Sequence, residues 1–435
     1  MSRGGDVLLV GSIAAAVATV ATIVWKTTGS RRAPKDDNEV EVELLDIEKM
    51  LYMDIGGEAA ISTITWFRGD CQHAASIVRA KTQNLLEANR WLTGHVTSSK
   101  LVYNPNKLIN MEEYFQCLAP EKSSLARDTA LDQLGVNSSA LLVLHGPGQS
   151  LFKVSIVPCS KNPSAHFAVV VSISHIVADG YTFYALHGML LGGKVEPMVV
   201  KRIYDTRQQQ IAAMGKHEYS VTSSAGFIVN NIVGVIYSKL FGVKVHSHYR
   251  CVLLDTDAMA EAKSAIAPTK EVPFCSTNDI LTSWYLQNSG KHGFMAINWR
   301  DRLPGHTQNH AGNYDNFLFF YKEDSSTPGL IRQALNFFQR VVTSPRMPTF
   351  WEMATGSNAI ATNWSSFAQP NVIDGCEEEL HLPIHIIASI LPCTMSILCI
   401  FRAGPQGLAL FLAGTEEQMA GLQNSPFLSK KPITD

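Results

Sequence analysis

His175 stands directly after an apolar run, and an Asp-Gly pair follows four residues later. The run, residues 168–174, reads AVVVSIS, and its valines and isoleucine predict a buried strand. A histidine held at the end of such a strand can face a cleft, where its imidazole can take a proton from a hydroxyl or an amine and return it later. Asp179 can orient the imidazole or fix the turn through a salt bridge, and Gly180 supplies backbone freedom. The alternative is a structural histidine beside an ordinary Asp-Gly turn.

The elements around this segment must hold it in place. Residues 181–191 predict a helix that begins after Gly180, and residues 276–279 (STND) predict another helix start with a capping side chain and an acid in the first turn. Helices and strands that do not alternate regularly favour an α+β layout with antiparallel or mixed sheets. Strands are predicted at residues 153–157, 295–299, 317–321, 386–390, 395–401 and 407–412.

Composition limits the classes of function. With 435 residues, of which 46% are hydrophobic and 17% are charged, the chain can fill one large or two ordinary domain cores. The formal net charge of -2 and the lack of a Lys/Arg block argue against nucleic-acid binding. The cysteines are scattered without a CxxC pair, and no HExxH motif occurs, so no metal site is expected.

The N-terminal segment has a different character. Residues 7–25 carry no charge, and as a helix they would be about 28 Å long, close to the roughly 30 Å hydrocarbon core of a bilayer. Basic residues follow, so the positive-inside rule predicts a single-pass membrane anchor over residues 1–29 with the folded body in the cytosol. A cleaved signal or organelle-targeting peptide is the alternative. Residues 30–43 are polar and charged and predict a linker.

Six short segments occur in an order that is typical of one enzyme superfamily. They read NRWLTGHV (89–96), SHIVADG (174–180), STNDILTSWYLQ (276–287), NWRDRLPG (298–305), GNYDN (312–316) and ATNWSSF (361–367). Together they resemble the HxxxDG motif and its accompanying motifs in the chloramphenicol-acetyltransferase-like, or BAHD-type, CoA-dependent acyltransferases. The DFGWG motif of plant BAHD enzymes and the doubled histidine of wax-ester synthases are absent. The resemblance is therefore to the superfamily and to neither of these subfamilies.

The resemblance implies a fold and a reaction. The fold would be α/β, with two related halves, residues 44–215 and 216–435, around a central tunnel and preceded by the transmembrane helix. The enzyme would move an acyl group from acyl-CoA, as co-substrate, directly to a hydroxyl or amine of a small molecule, without an acyl-enzyme and without a bound cofactor or metal. The membrane anchor favours a lipophilic acceptor, and the two-half architecture makes a monomer the expected state.

The resemblance also implies roles for the residues of the first motif. His175 would be the general base. Asp179 would be structural and would pair with an arginine, for which Arg300 is the first choice and Arg302 the second. Gly180 would allow the tight turn.

Three residues of the later motifs receive expected roles in the same way. The Thr362 hydroxyl or the Trp364 indole N–H would stabilise the tetrahedral oxyanion in the tunnel. Asn313 would have an architectural position. Two other functions stay open: a non-catalytic relative that binds a ligand, and a condensation-type domain whose acyl donor is held on a carrier protein.

Overall fold

Helices and strands are mixed along the whole described part of the chain. The computed structural model describes residues 38–52, 60–97, 99–118, 150–159, 162–241, 248–383 and 394–433. From Val40 onward these residues belong to one compact unit. The fold is mixed α/β, with its strands in three sheets.

The strands of the described residues differ in length from short pairs to long core strands. Their bounds are β1 (Val40–Glu43), β2 (Ala60–Arg68), β3 (His95–Val96), β4 (Lys100–Tyr103), β5 (Phe115–Cys117), β6 (Phe152–Pro158), β7 (His166–Ser174), β8 (His248–Leu254), β9 (His292–Asn298), β10 (Asp315–Phe320), β11 (Asn358–Asn363), β12 (Glu377–Pro383), β13 (Met395–Arg402), β14 (Leu408–Gly414) and β15 (Leu428–Pro432).

The α-helices of the described residues lie between these strands. Their bounds are α1 (Asp46–Tyr52), α2 (Cys71–Ala88), α3 (Met111–Tyr114), α4 (Gly180–Leu190), α5 (Thr206–Met214), α6 (Lys216–Ser220), α7 (Ala225–Phe241), α8 (Thr256–Ser264), α9 (Thr277–Asn288), α10 (Pro328–Phe337), α11 (Phe350–Ala354) and α12 (Glu416–Ala420).

The five-stranded sheet holds the strand that leads to His175. Its order is β12-β2-β7-β6-β5, and β7 pairs antiparallel with both β2 and β6. Every residue from Phe167 to Ser174 is buried. A strand that is covered on both faces needs apolar or paired side chains, which explains why the run is mostly apolar and why the buried Ser172 hydroxyl pairs with that of Ser62 at 2.7 Å. The backbone is therefore fixed by two neighbours up to the residue before His175.

The seven-stranded sheet supplies the second half of the site. Its order is β10-β9-β11-β13-β14-β8-β15, with β11 parallel to β9 and β13 and the other pairs antiparallel. Strands β9 and β10 are neighbours, and the loop between them contains Arg300 and Asn313. A backbone hydrogen bond of 2.8 Å from Trp299 to Tyr314 closes the base of this loop.

Strand β1 lies inside the stretch that the sequence predicts as a linker. Its sequence VEVE alternates with the period of a strand, and it pairs antiparallel with β4 from Val40 opposite Tyr103 to Glu43 opposite Lys100. The folded body therefore begins at Val40 rather than at residue 44. Strand β12, from the second predicted half, joins the sheet of the first half beside β2. The division into halves at residues 215 and 216 stays a prediction.

The predicted fold class is wrong in its N-terminal transmembrane helix. Within the described ranges, the structure has no helix that combines the length and the apolar character needed to cross a bilayer. The run that led to the prediction, residues 7–25, lies outside the described residues. Length and lack of charge are necessary for a membrane helix, but they do not by themselves establish one. The expectation of a lipophilic acceptor was based on that helix and is no longer supported. The cytosolic location of the folded body stays a prediction.

Candidate active site

His175 lies at the end of β7 and faces a cavity. Its side chain is partly buried and lines a cavity of about 530 Å³, whose walls come mainly from α1, α5, the start of α7 and the start of β10. A volume of this size lies in the range of small-molecule sites, roughly 300–1,000 Å³. The end of β7 thus places an imidazole at the wall of a cavity that is large enough for a small molecule.

Asp179 ends the turn after His175 and starts the next helix. It is the N-cap of α4, and its Oδ1 accepts a 2.8 Å hydrogen bond from the Thr182 backbone N–H. An N-cap carboxylate satisfies a helix N–H group that has no intrahelical partner. The side chain is fully buried, so a second set of partners must compensate its charge.

Arg300 is the partner of Asp179 in the structure. Its Nη1 and Nη2 donate to the two carboxylate oxygens at 2.7 and 3.2 Å, and the Tyr314 backbone N–H donates to Oδ2 at 3.0 Å. Burial by itself raises the pKa of the Asp179 carboxyl, but Arg300 and the hydrogen bonds outweigh it, so the pKa lies below its ordinary value. Arg302, the second choice from the sequence, is exposed and packs over the Phe338 ring.

The Arg300 guanidinium connects the start of α4, which follows the five-stranded sheet, to the loop between β9 and β10 of the seven-stranded sheet. Its remaining hydrogen bonds go to the carbonyl oxygens of His310 and Gly312, to Asn298 Oδ1 and to the Thr182 hydroxyl, at 2.9–3.1 Å. The five N–H donors of an arginine are all used in this way. The start of α4 and the loop between β9 and β10 are thereby held as one unit.

Asn313 fixes the tautomer of His175. Its Nδ2 donates to the backbone oxygens of His175 and Ile176 at 2.9 and 3.1 Å and lies 3.4 Å from a Glu48 carboxylate oxygen. These partners are all acceptors, so the amide nitrogen must face them, and Oδ1 faces His175 Nδ1 at 3.1 Å. An amide oxygen only accepts, so Nδ1 carries the hydrogen. The lone pair on Nε2 is therefore free to accept a proton.

Glu48 and Arg202 form a second buried ion pair beneath this amide. The Glu48 carboxylate accepts from Arg202 Nε at 3.0 Å and from the Asn313 backbone N–H at 3.1 Å, and both side chains are fully buried. Arg202 also donates to the backbone oxygens of Ala311 and Val177. Sequence reasoning missed this pair. Leu45, directly before α1, and Glu48 are both buried, but the sequence does not distinguish Glu48 from the exposed acids Glu43 and Asp46 beside it.

Asp315, which sequence reasoning also missed, lines the cavity together with His175. Burial and the nearby Asp179 charge raise the pKa of its carboxyl to about 6, while His175 and Arg300 act in the opposite direction. Asp315 lies within the GNYDN segment, but the resemblance implies a role there only for Asn313, so the argument for Asp315 comes from the cavity.

Asp315→Asn is expected to stabilise the protein at neutral pH. The folded-state pKa of Asp315 lies above its ordinary value of 3.8, so its contribution to the free energy of unfolding is lost as the pH rises from that value through about 6. Asparagine avoids the ionisation. The melting temperature of the variant should exceed that of the wild type at about pH 8, and the gain should shrink at about pH 5. A pH-independent gain would contradict the assignment.

Trp364 packs against Gly180, while Thr362 lies on β11 opposite Cys399. A Cβ atom at Gly180 would lie 2.7 Å from Trp364 Nε1. The need for glycine at this position is therefore the close approach of the indole, rather than the tight turn that the motif implies. Neither Thr362 nor Trp364 is among the residues that line the His175 cavity. Their role in stabilising an oxyanion stays a prediction.

Gly180→Ala is expected to destabilise the protein by roughly 1–3 kcal/mol, because the new methyl group overpacks against the Trp364 ring. Gly329→Ala in α10 is the matched control, since a Cβ there has no neighbour closer than 3.7 Å. Thermal unfolding of both variants tests this. Equal melting temperatures for the two variants would refute the steric explanation.

Solved structures with the same architecture place the site in context. They include F. graminearum TRI101 complexed with coenzyme A and deoxynivalenol, with a TM-score of 0.57 and 11% identity over 89% of this chain and 98% of that chain. The first condensation domain of the calcium-dependent antibiotic synthetase has a TM-score of 0.55 and 11% identity over 86% of this chain and 91% of that chain. Vinorine synthase has a TM-score of 0.53 and 11% identity over 93% of this chain and 97% of that chain. The chain has the chloramphenicol-acetyltransferase-like fold. The resemblance that the motifs predict is thereby confirmed, at an identity where the likeness is one of fold. No protein-family model and no curated protein matches the chain.

Proposed function

We propose that the protein is an acyltransferase that moves an acyl group from a CoA thioester to a small-molecule acceptor, with His175 as general base. The observation that carries the proposal is the Asn313 amide, which leaves His175 Nε2 free to accept a proton beside the cavity. The fold supports it, because TRI101, which has a similar structure, is complexed with coenzyme A.

The proposed reaction needs one base and no covalent enzyme intermediate. His175 Nε2 takes the proton from the acceptor hydroxyl or neutral amine as that atom attacks the thioester carbonyl carbon. The tetrahedral intermediate then collapses, the C–S bond breaks, and the imidazolium returns the proton to the leaving thiolate. The new ester or amide and free CoA are the products. The Asp179–Arg300 pair stays ionised and holds the turn that carries the base.

The residues of the proposed site come from a single chain, so the proposed active unit is a monomer. Glu48 and Arg202 would be positioning residues, because they contact Asn313 and the loop and not the cavity side of the imidazole.

Release of free thiol from a panel of acyl-CoA donors tests the proposal. The full chain is incubated with each donor and a mixture of alcohols and amines, and the acylated product is identified by mass spectrometry. Acceptor-dependent thiol release is the expected result. If thiol release is seen only when the acyl group is carried on a pantetheine carrier protein, the condensation-type function replaces this one. If no donor reacts and the acyl-CoA still binds, a ligand-binding relative is the better description.

A further inference from the structure

The charged side chains around the cavity do not balance. Three carboxylates and two cations line it, besides His175. Lys49 pairs with Glu43 at 2.9 Å, and Arg207 pairs with Asp46 at 3.2 Å. The third carboxylate, Asp315, has no salt bridge among the described residues. The cavity therefore carries one negative charge that the protein itself does not neutralise.

Asp315 is placed to use this charge on a bound molecule. It is the first residue of β10, and Phe317 follows two positions later on the same side of the strand, with both side chains lining the cavity. No other described residue donates a hydrogen bond to the Asp315 carboxylate. Arg300, which is close enough to lower the pKa of Asp315, already uses its donors on Asp179 and on loop oxygens.

Aromatic rings accompany this carboxylate. The rings of Phe227, Phe317 and Tyr204 line the same cavity. The face of an aromatic ring attracts a cation, and a carboxylate does so more strongly. A carboxylate without a cation partner and several aromatic residues lining one cavity form a set that suits an organic ammonium group.

We propose that this cavity binds the acyl acceptor and that the acceptor carries an ammonium group, which Asp315 holds. This inference rests on the proposed function. An ammonium nitrogen has no lone pair and cannot attack a thioester, so the nitrogen at Asp315 is not the atom that is acylated. The acceptor is therefore bifunctional, with a charged nitrogen at Asp315 and a hydroxyl or a second, neutral amine at His175. The phosphates of coenzyme A would be repelled from this cavity by the same carboxylate.

The test compares two acceptors that differ in one group. Aminohexanol and hexanediol have the same chain length, and only the former carries a positive charge at neutral pH. With wild-type protein, kcat/KM should favour aminohexanol. Asp315→Asn should lower this preference by roughly 10- to 100-fold, mainly through KM, because the ammonium group loses its negatively charged partner and keeps only a neutral acceptor. The exposed Asp374, changed to asparagine, is the matched control and should keep the preference.

Two measurements decide the inference. The inference is supported if the preference for aminohexanol over hexanediol falls in Asp315→Asn and not in the Asp374→Asn control. An equal loss of activity on both acceptors overturns it, because Asp315 would then act on His175 rather than on an ammonium group. Calorimetric titration with hexylamine, which needs no turnover, separates the inference from the proposed function. Binding that Asp315→Asn abolishes supports the ammonium site even where no acyl transfer occurs, and equal binding to both proteins contradicts it.

Discussion

His175→Gln is expected to lower kcat by roughly 10²–10⁴-fold, the usual contribution of a general base. Glutamine is close in size to histidine and can still hydrogen-bond Asn313, but its amide cannot take up a proton at neutral pH. The KM values should change little, because His175 is only one of the many residues that line the cavity. Rates of thiol release with a saturating acyl-CoA and the best acceptor measure this effect.

The matched control is His73→Gln, which changes an exposed histidine on α2. This variant should keep the wild-type rate, and both variants should unfold at the wild-type temperature. A His175→Gln protein that is folded and retains more than about half of the wild-type rate would rule out the imidazole as the base, since even a weak base contributes far more.

Arg300→Ala is expected to lower the free energy of unfolding by roughly 3–5 kcal/mol, which is the cost of leaving a buried charge without its partner. The charge left behind is the fully buried Asp179 carboxylate, and the carbonyl oxygens of His310 and Gly312 lose a donor as well. Urea unfolding of the wild type and the variant measures the difference. Arg300→Lys should recover only part of it, because an ammonium group cannot match the planar two-point contact.

Arg302→Ala provides the comparison for this effect. Arg302 is two residues away and exposed, so its loss should change the free energy of unfolding by about 0.5 kcal/mol or less. Similar losses for the two alanine variants would show that the Asp179–Arg300 pair does not stabilise the fold.

The sequence predicted the elements whose signal is local. The apolar run at 168–174 corresponds to β7 (His166–Ser174), and the helix predicted at 181–191 corresponds to α4. The capping signal at residues 276–279 is present as a capping box between Ser276 and Asp279 at the start of α9. The late strands predicted at 395–401 and 407–412 correspond to β13 and β14. The strand predicted at 386–390 lies outside the described residues.

The parts that sequence reasoning missed depend on contacts between distant parts of the chain. Glu48 reaches Asn313 across 265 positions, and no local pattern distinguishes a buried glutamate from the solvated acids beside it. Asp315 stands out only because it lines the cavity, and segments that are far apart in the sequence form that cavity. The transmembrane helix was predicted from a local pattern alone, the length and lack of charge of residues 7–25, and that pattern does not by itself establish a membrane helix.

The most direct test of the central claim is a single-turnover reaction that is followed by mass spectrometry of both the product and the intact protein. The enzyme is mixed with limiting acyl-CoA, with and without acceptor. Direct transfer by His175 predicts that free CoA and acylated acceptor appear together in equal amounts, only with acceptor, while the mass of the protein stays unchanged. CoA release without acceptor, accompanied by a protein that has gained the acyl group, would contradict direct transfer.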